Sequence, residues 1–380
     1  MYQLKINELS EQAFLSQYWQ KKPLLIKAGF KDFQDPLDAN ELAGLAMEDS
    51  IESRIITNHN QQWQSHQGPF DDFEILTDQH STLLVQAVDH WHPEAAQLLE
   101  PFRFIPNWRI DDLMISYSTP GGGVGPHLDQ YDVFIIQGEG KRHWRVGLPD
   151  PTLKQFAQNK TLLQVEAFSA VIDCILEPGD ILYIPPGCPH EGYAVENALN
   201  YSVGFRAPNQ QDLLSSFADH IIDTESGQKR YTDHTLALRD SKGELTQSEV
   251  DKVKTLMQAL LEDESLFKHW LGNTLSQPKH DMDLAPEEDP FSVAQIQQLL
   301  ENQVTFKRLG GTRAIYQCMD AELLLSINGE NYALPLSDLE AVKQLTDFIE
   351  FDSSVLNATT PSLDFIETFT TLVNEGIWFS

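Results

Sequence analysis

The sequence predicts a mainly β chain with added α-structure: an antiparallel barrel or sandwich at its centre, with helical segments before and after it. Three observations predict this. From Arg109 onward the runs LMISYST, VFIIQ, HWRVG, VIDCIL, ILYIP and NYSVGF follow one another, split by Gly, Pro and Asp. They have strand length and strand composition, with turn residues between them. No helical spacing intervenes, so βαβ units and a parallel sheet are not expected. After Pro208 the spacing becomes helical, with Leu213, Leu214, Phe217 and Ile221 at i, i+1, i+4 and i+8.

Taken in order, the chain begins with an amphipathic helix near 11–20 and a proline-led strand over 24–27 in KKPLLIKAGF. A helix over 40–47 has Asp38 or Asn40 as its N-cap. The segment HNQQWQSHQGPFDDF reads as irregular. A helix is expected over 81–99, from Leu83, Leu84, Ala87, Val88 and Trp91. The six strands follow, then a helix over 210–222 and a polar stretch, TESGQKRYTDHT. In the next helix Val250, Val253, Leu256, Met257, Leu260 and Leu261 make a wide apolar stripe, which suits either a core or a homodimer seam. QPKHDMDLAPEEDP, 277–290, rich in proline and acid, reads as a loop or linker. The last ninety residues read as a small α+β unit: a helix at 292–301, strands near TRAIYQC, ELLLSI and ENYALP, and helices at 337–349 and 361–375.

The 380 residues suffice for two or three domains, and 41% hydrophobic content is that of a globular chain. No apolar run approaches the length of a membrane span. The start, MYQLKINELSEQAF, has no apolar stretch of the signal-peptide kind. Three scattered cysteines, Cys174, Cys188 and Cys318, suit a reducing compartment rather than a disulfide framework. A cytoplasmic location is therefore expected. The net charge is −31, of which residues 1–208 carry −14 and residues 209–380 carry −17. Such a surface repels bare nucleic acid, and it serves either plain solubility or the steering of a basic partner.

The chemistry centres on GGGVGPHLDQYD, residues 121–132. In an extended strand residues i and i+2 face the same way, so His127 and Asp129 can aim at one point. His190, in IPPGCPHEG, is the third candidate. Two histidines and one carboxylate suit Fe(II), Mn(II) or Zn(II), and three open positions suit iron-dependent dioxygen chemistry. An oxygenase of that kind using 2-oxoglutarate needs a buried cation for the distal carboxylate, and Arg142 or Lys141 can serve. Arg142 shares a strand face with Trp144 and Val146, so it is the inward one and Lys141 the outward one. A buried arginine demands an anionic partner, which the co-substrate would supply.

At these residues the sequence resembles the JmjC-domain oxygenases of the cupin superfamily, and within them the bacterial ribosomal oxygenases. The resemblance is carried by WQKKPLLIK, by RIDDLMISYSTPGGGVGPHLDQYDVFIIQGEGKRHWRVG, by GDILYIPPGCPHEGYAVENALNYSVGFRAPN and by NEGIWF. It implies a double-stranded β-helix (jelly-roll) catalytic domain over 1–208, a helical dimerisation region over 209–279 and a winged-helix-like domain over 280–380. It implies an iron triad of His127, Asp129 and His190, and 2-oxoglutarate held by Arg142, where many relatives have lysine, with Ser116 lining the pocket. The implied reaction uses dioxygen to hydroxylate an arginine side chain of large-subunit ribosomal protein sixteen, giving succinate and carbon dioxide. Asp111, Asp112, Tyr131 and above all Asp132 are candidates to hold the guanidinium, although Asp111 and Asp112 more simply cap turns. The winged-helix label does not imply DNA binding against a charge of −17. The competing readings are an N-methyl-lysine demethylase of the same type, and a non-enzymatic cupin that binds metal and a partner.

Overall fold

The computed structural model describes residues 2–59, 62–157, 163–352, 354 and 361–380. It resolves into two compact units. The first comprises Met1–Ala207 with Pro278–Ala285 and Leu309–Thr312; the second comprises Pro208–Gln277, Pro286–Arg308 and Arg313–Ser380.

In the first unit α1 (Glu11–Gln17) starts where the Ser10 side chain accepts the Ala13 N–H, and it buries Phe14. The edge strand β1 is Leu24–Ile26. Helix α2 (Ala39–Leu45) has a capping box between Asp38 and Glu41, so Asp38 rather than Asn40 is the N-cap.

Two segments differ from expectation. The one read as irregular contains a strand: β2 (Ser53–His59) pairs with β3 (Gln62–Gln67). In QWQSHQ only Trp63 is apolar, and an edge strand needs little more. The helix expected over 81–99 is instead β4 (Ser81–Val85), followed by the short helices α3 (Val88–Trp91) and α4 (Pro93–Ala96). Strand β4 lies between β2 and a later strand, and all five of its residues are buried. A strand covered on both faces reads as a continuous apolar run, which helical spacing also fits.

The remaining strands of this unit are β5 (Ile110–Ser118), β6 (Asp132–Gln137), β7 (Arg142–Gly147), β8 (Gln155–Ala157), β9 (Leu163–Val165), β10 (Ala170–Leu176), β11 (Ile181–Ile184), β12 (His190–Ala194) and β13 (Ala198–Phe205). An eight-stranded sheet has the order β1-β11-β6-β13-β5-β4-β2-β3, and a three-stranded sheet the order β10-β7-β12. Every named pairing is antiparallel. Alternation along β6 assigns the faces of the large sheet. Phe134 and Ile136 join a core with Phe14, Phe102 and Leu113, while Val133 and Ile135 pack with Trp144, Val146 and Leu176. A slip of one residue would exchange these two sets, so burial on both faces fixes the register. Two facing antiparallel sheets are the jelly-roll that the resemblance implies.

Asp132 lies on the helix-covered face. It is fully buried and accepts hydrogen bonds from Tyr183 Oη (2.6 Å) and Gln20 Nε2 (3.0 Å). Arg109 Nη2 is 3.3 Å away, with its guanidinium against the rings of Trp19 and Trp108. This corrects the view of Asp132 as a substrate ligand: a residue beside Val133 points to the opposite face, and its carboxylate is committed to the core. Burial raises its pKa, against the pull of Tyr183, Gln20 and Arg109. Asp132→Ala is expected to lower stability by about 3–5 kcal/mol, because Arg109 loses its charge partner in the interior. The urea midpoint should fall with an unchanged slope; an unchanged midpoint would disprove it.

The second unit contains α5 (Gln210–Asp223), α6 (Gln247–Leu261), α7 (Glu264–Ser276), α8 (Val293–Glu301), β14 (Phe306–Arg308), β15 (Ala314–Cys318), β16 (Glu322–Ile327), β17 (Glu330–Pro335), α9 (Leu339–Asp347), β18 (Glu350–Phe351), α10 (Leu363–Asn374) and β19 (Trp378–Phe379). Its core joins Ile296 and Leu300 of α8 with Leu323 and Leu325 of β16 and Phe365 and Phe369 of α10. Helix α6 has no buried residue, and Val253, Met257 and Leu261 of its stripe are exposed. No helix of the described residues is long and apolar enough to cross a membrane.

Candidate metal centre

After β5 the chain turns through Gly121–Gly125 and is tied to β12: the Gly121 N–H donates to Ala194 O, and the Ala194 N–H donates to Gly122 O. His127 and His190 then form an isolated antiparallel bridge, exchanging both backbone hydrogen bonds at 2.9 and 3.0 Å. Their rings lie 4.2 Å apart, centroid to centroid. Each ring is fixed in the same way. His127 Nδ1 is 2.9 Å from Gly125 O, and His190 Nδ1 is 2.9 Å from Cys188 O. A carbonyl only accepts, so each Nδ1 carries a proton, and each Nε2 is the nitrogen turned toward the shared point.

Asp129 Oδ2 lies 3.9 Å from His127 Nε2 and 3.5 Å from His190 Nε2. The three ligand atoms all fall within 4.8 Å of one another. Burial, then the neighbouring His190, push His127 down to about 4, against the opposing pull of Asp129. Burial pushes Asp129 up, but His190 and His127 beside it hold it at about 2, and the Tyr131 hydroxyl adds to this. At neutral pH the pair is therefore a neutral imidazole and an ionised carboxylate, the forms that bind a divalent metal. The donor set, two nitrogens and one oxygen, fits iron.

Gly125 sits at φ +80°, and a Cβ there would lie 2.0 Å from Gln164 Nε2. Its carbonyl also orients His127. Gly125→Ala is expected to cost about 1–2 kcal/mol of stability from the left-handed backbone alone, and to weaken Mn(II) binding. Thermal melting and a Mn(II) titration check this; unchanged Mn(II) affinity would separate the turn from the site.

The triad opens into a cavity of about 520 Å³. Arg142 lines it and is 4% exposed. It donates to Asn200 Oδ1 (3.0 Å), Gly192 O (3.2 Å) and Ser116 Oγ (3.4 Å). Its Nε has no hydrogen-bond partner, and no ion pair with a carboxylate is found for it among the described residues. Burial pushes it down to about 10. A buried cation without an anion is costly, so this end of the cavity suits a carboxylate. Arg142, Trp144 and Val146 are all buried, while Lys141 is outside, paired with Glu177.

Strands β5 and β13 set the cavity's length, with Asn200 opposite Ser116 and Ser202 opposite Met114. Asp112 is four residues before Ser116, about 13 Å along the strand. Asp111 and Asp112 line the cavity, and Asp112 also holds the turn before α3. Asp112 accepts the Ala87 N–H (3.0 Å), and burial, then Asp89 and Asp111, raise it to about 7. Tyr131 lines the same end, and Asp129, Asp112 and Asp111 all act on its hydroxyl. Asn200, Gly192, Lys279 and His280 went unnoticed in the sequence. A polar Asn inside NYSVGF was the one available signal; the others arrive from segments with no local mark.

Residues 97–213 match the family described as JmjC domain, and residues 259–379 match the ROXA-like winged helix. The chain is 46% identical to the ribosomal protein uL16 3-hydroxylase of Escherichia coli (strain K12), over 100% of this chain and 99% of that protein. It is 30% identical to a probable ribosomal oxygenase of Haemophilus influenzae, over 92% and 89% of the two chains. Among solved structures it is similar to E. coli YcfD, with a TM-score of 0.93, 45% identity and coverage of 100% and 99%. It is also similar to YcfD, a ribosomal oxygenase, in complex with cobalt and 2-oxoglutarate, with a TM-score of 0.90, 44% identity and coverage of 100% and 99%.

Proposed function

Because this chain belongs to the JmjC-domain ribosomal oxygenases, we propose that it uses Fe(II), 2-oxoglutarate and dioxygen to hydroxylate carbon 3 of an arginine side chain in ribosomal protein uL16. One observation carries this reading. A two-histidine, one-carboxylate set shares a cavity with a buried arginine that has no carboxylate of its own. A metal site alone would not require Arg142, and a simple anion pocket would not require the triad.

His127, Asp129 and His190 hold the iron. The metal, with its co-substrates, supplies an oxidant strong enough to replace C–H by C–OH at an unactivated carbon. The protein's part is binding and placement. His127 and His190 turn their Nε2 atoms to the shared point because their Nδ1–H groups are engaged by Gly125 O and Cys188 O. Arg142 holds the distal carboxylate of 2-oxoglutarate, with Ser116 and Asn200 fixing the guanidinium. Asp111, Asp112 and Tyr131 receive the substrate guanidinium at the other end, since cationic forks are matched by carboxylates. A ribosomal protein is basic, and a surface of net charge −31 attracts it.

In this reading residues 1–208 are the catalytic domain and residues 280–380 the winged-helix-like domain. The helices of 209–279 make a homodimer seam, supported by exposed Leu214, Ile222, Val253, Met257 and Leu261. A sedimentation mass of one chain at micromolar concentration would remove the seam. A ribosomal substrate supports a cytoplasmic location, and the acidic surface argues against direct binding of nucleic acid.

The test is to incubate the iron-loaded protein with 2-oxoglutarate, dioxygen and uL16, and to map mass changes by residue. One added oxygen on an arginine is expected. Loss of methyl groups from a methylated lysine peptide would favour a demethylase. Absence of both, with His127→Ala leaving 2-oxoglutarate turnover unchanged, would end the enzyme reading.

A further inference from the structure

The eight residues Pro278–Ala285 pack with the first compact unit. They form a strap over the acidic end of the cavity. Lys279 pairs its ammonium with Asp111, and His280 Nε2 lies 3.8 Å from Asp112 Oδ2. The His280 ring meets that of His90 edge-on at 5.8 Å, and His90 Nδ1 donates to Asp281 O at 3.0 Å. Lys279 and His280 line the same cavity as His127, Asp129 and Arg142.

The hold is polar. No residue of 278–285 is buried, and Leu284 is 48% exposed. An ion pair between partly exposed groups contributes little, about 0.2–1 kcal/mol. The strap is therefore attached by contacts that a stronger cation can replace. A guanidinium offers two parallel N–H donors to a carboxylate, where an ammonium offers a point charge.

We propose that Lys279 is an internal stand-in for the substrate: it holds Asp111 in the absence of the protein substrate, and the incoming arginine displaces it. This rests on the reading that the acidic end receives an arginine. The carboxylates at the acidic end of the cavity thus keep a counter-charge before substrate arrives, and substrate binding is weakened by the competition. A competitor lowers apparent affinity by the fraction of sites it occupies.

The experiment measures the Kd of uL16 for the intact protein loaded with Mn(II) and 2-oxoglutarate, without dioxygen. Lys279→Met keeps the alkyl chain and removes the charge. It is expected to tighten binding about two- to five-fold, the scale of one partly exposed ion pair. Lys279→Arg, a better partner for Asp111, is expected to weaken it by a similar factor. Melting temperatures accompany both variants. Should Lys279→Met lose fold stability, the Lys279→Arg arm alone decides. An unchanged or weaker Kd for a stably folded Lys279→Met, or an unchanged Kd for Lys279→Arg, overturns the proposal and leaves Lys279 a strut or an ally of the substrate. If the wild type neither binds nor hydroxylates uL16, the proposed function falls and the role of Lys279 falls with it.

Discussion

Asp129→Ala is expected to reduce affinity for Mn(II) or Fe(II) by about 100-fold or more, beyond the 10–100-fold typical of losing an outer-shell partner, and to remove hydroxylation. Asp129 is the one anionic member of the triad, within 3.9 Å of both imidazole Nε2 atoms. Without it two neutral nitrogens remain, a set that holds a hard divalent cation poorly. The change should be confined to the site. The backbone there is held by the exchanged His127–His190 bonds and by the Gly187 N–H donating to Asp129 O, none of which needs the carboxylate. Mn(II) electron paramagnetic resonance titration reads the metal, and thermal melting reads the fold. Near-normal Mn(II) affinity would place the metal elsewhere.

The second large effect concerns Arg142. With Arg142→Ala, 2-oxoglutarate should bind about 100-fold more weakly or worse, because a buried charge pair broken on one side costs about 2–5 kcal/mol. The concentration of co-substrate needed for half-maximal turnover should rise in step. Three features make the effect this large. Arg142 is 4% exposed, its other partners are neutral, and burial already pulls its pKa to about 10. The carboxylate of the co-substrate would thus supply the counter-charge that the protein does not. Arg142→Lys should recover part of the loss, keeping the charge but not the fork. Binding of 2-oxoglutarate to the Mn(II)-loaded protein separates this from catalysis, and an unaltered Kd would take Arg142 out of the role.

Much of the centre was legible because short-range chemistry writes it. His127 and Asp129 are two residues apart on extended chain, and Arg142, Trp144 and Val146 alternate on β7, so each set shares a face by geometry alone. Helix α2, with its Asp38 cap, and α5, with its apolar residues at helical spacing, were legible for the same reason. The misreadings occurred where burial overrides local pattern. Ser81–Val85 is apolar through most of its length because sheet neighbours cover it, and Gln62–Gln67 is polar because it lies at an edge. Asp132 lies only three residues past Asp129 in the sequence. Its strand turns it to the opposite face, where Tyr183 and Arg109 engage it.

By itself the sequence determined the metal-capable residue types, the shared aim of His127 and Asp129, the inward face of Arg142 and the β-rich class, all consequences of residue chemistry and a two-residue period. Only the tertiary structure decided which distant groups complete the site. Sheet pairing brings His190 opposite His127 and sets Asn200 beside Ser116 to hold Arg142, while the strand-free segment 278–285 lays Lys279 on Asp111. These contacts join residues from 26 to 168 positions apart. Those between strands depend on strand order and register, which the burial of both faces of the large sheet imposes, and that of Lys279 on where the chain returns after the helices; local spacing encodes neither.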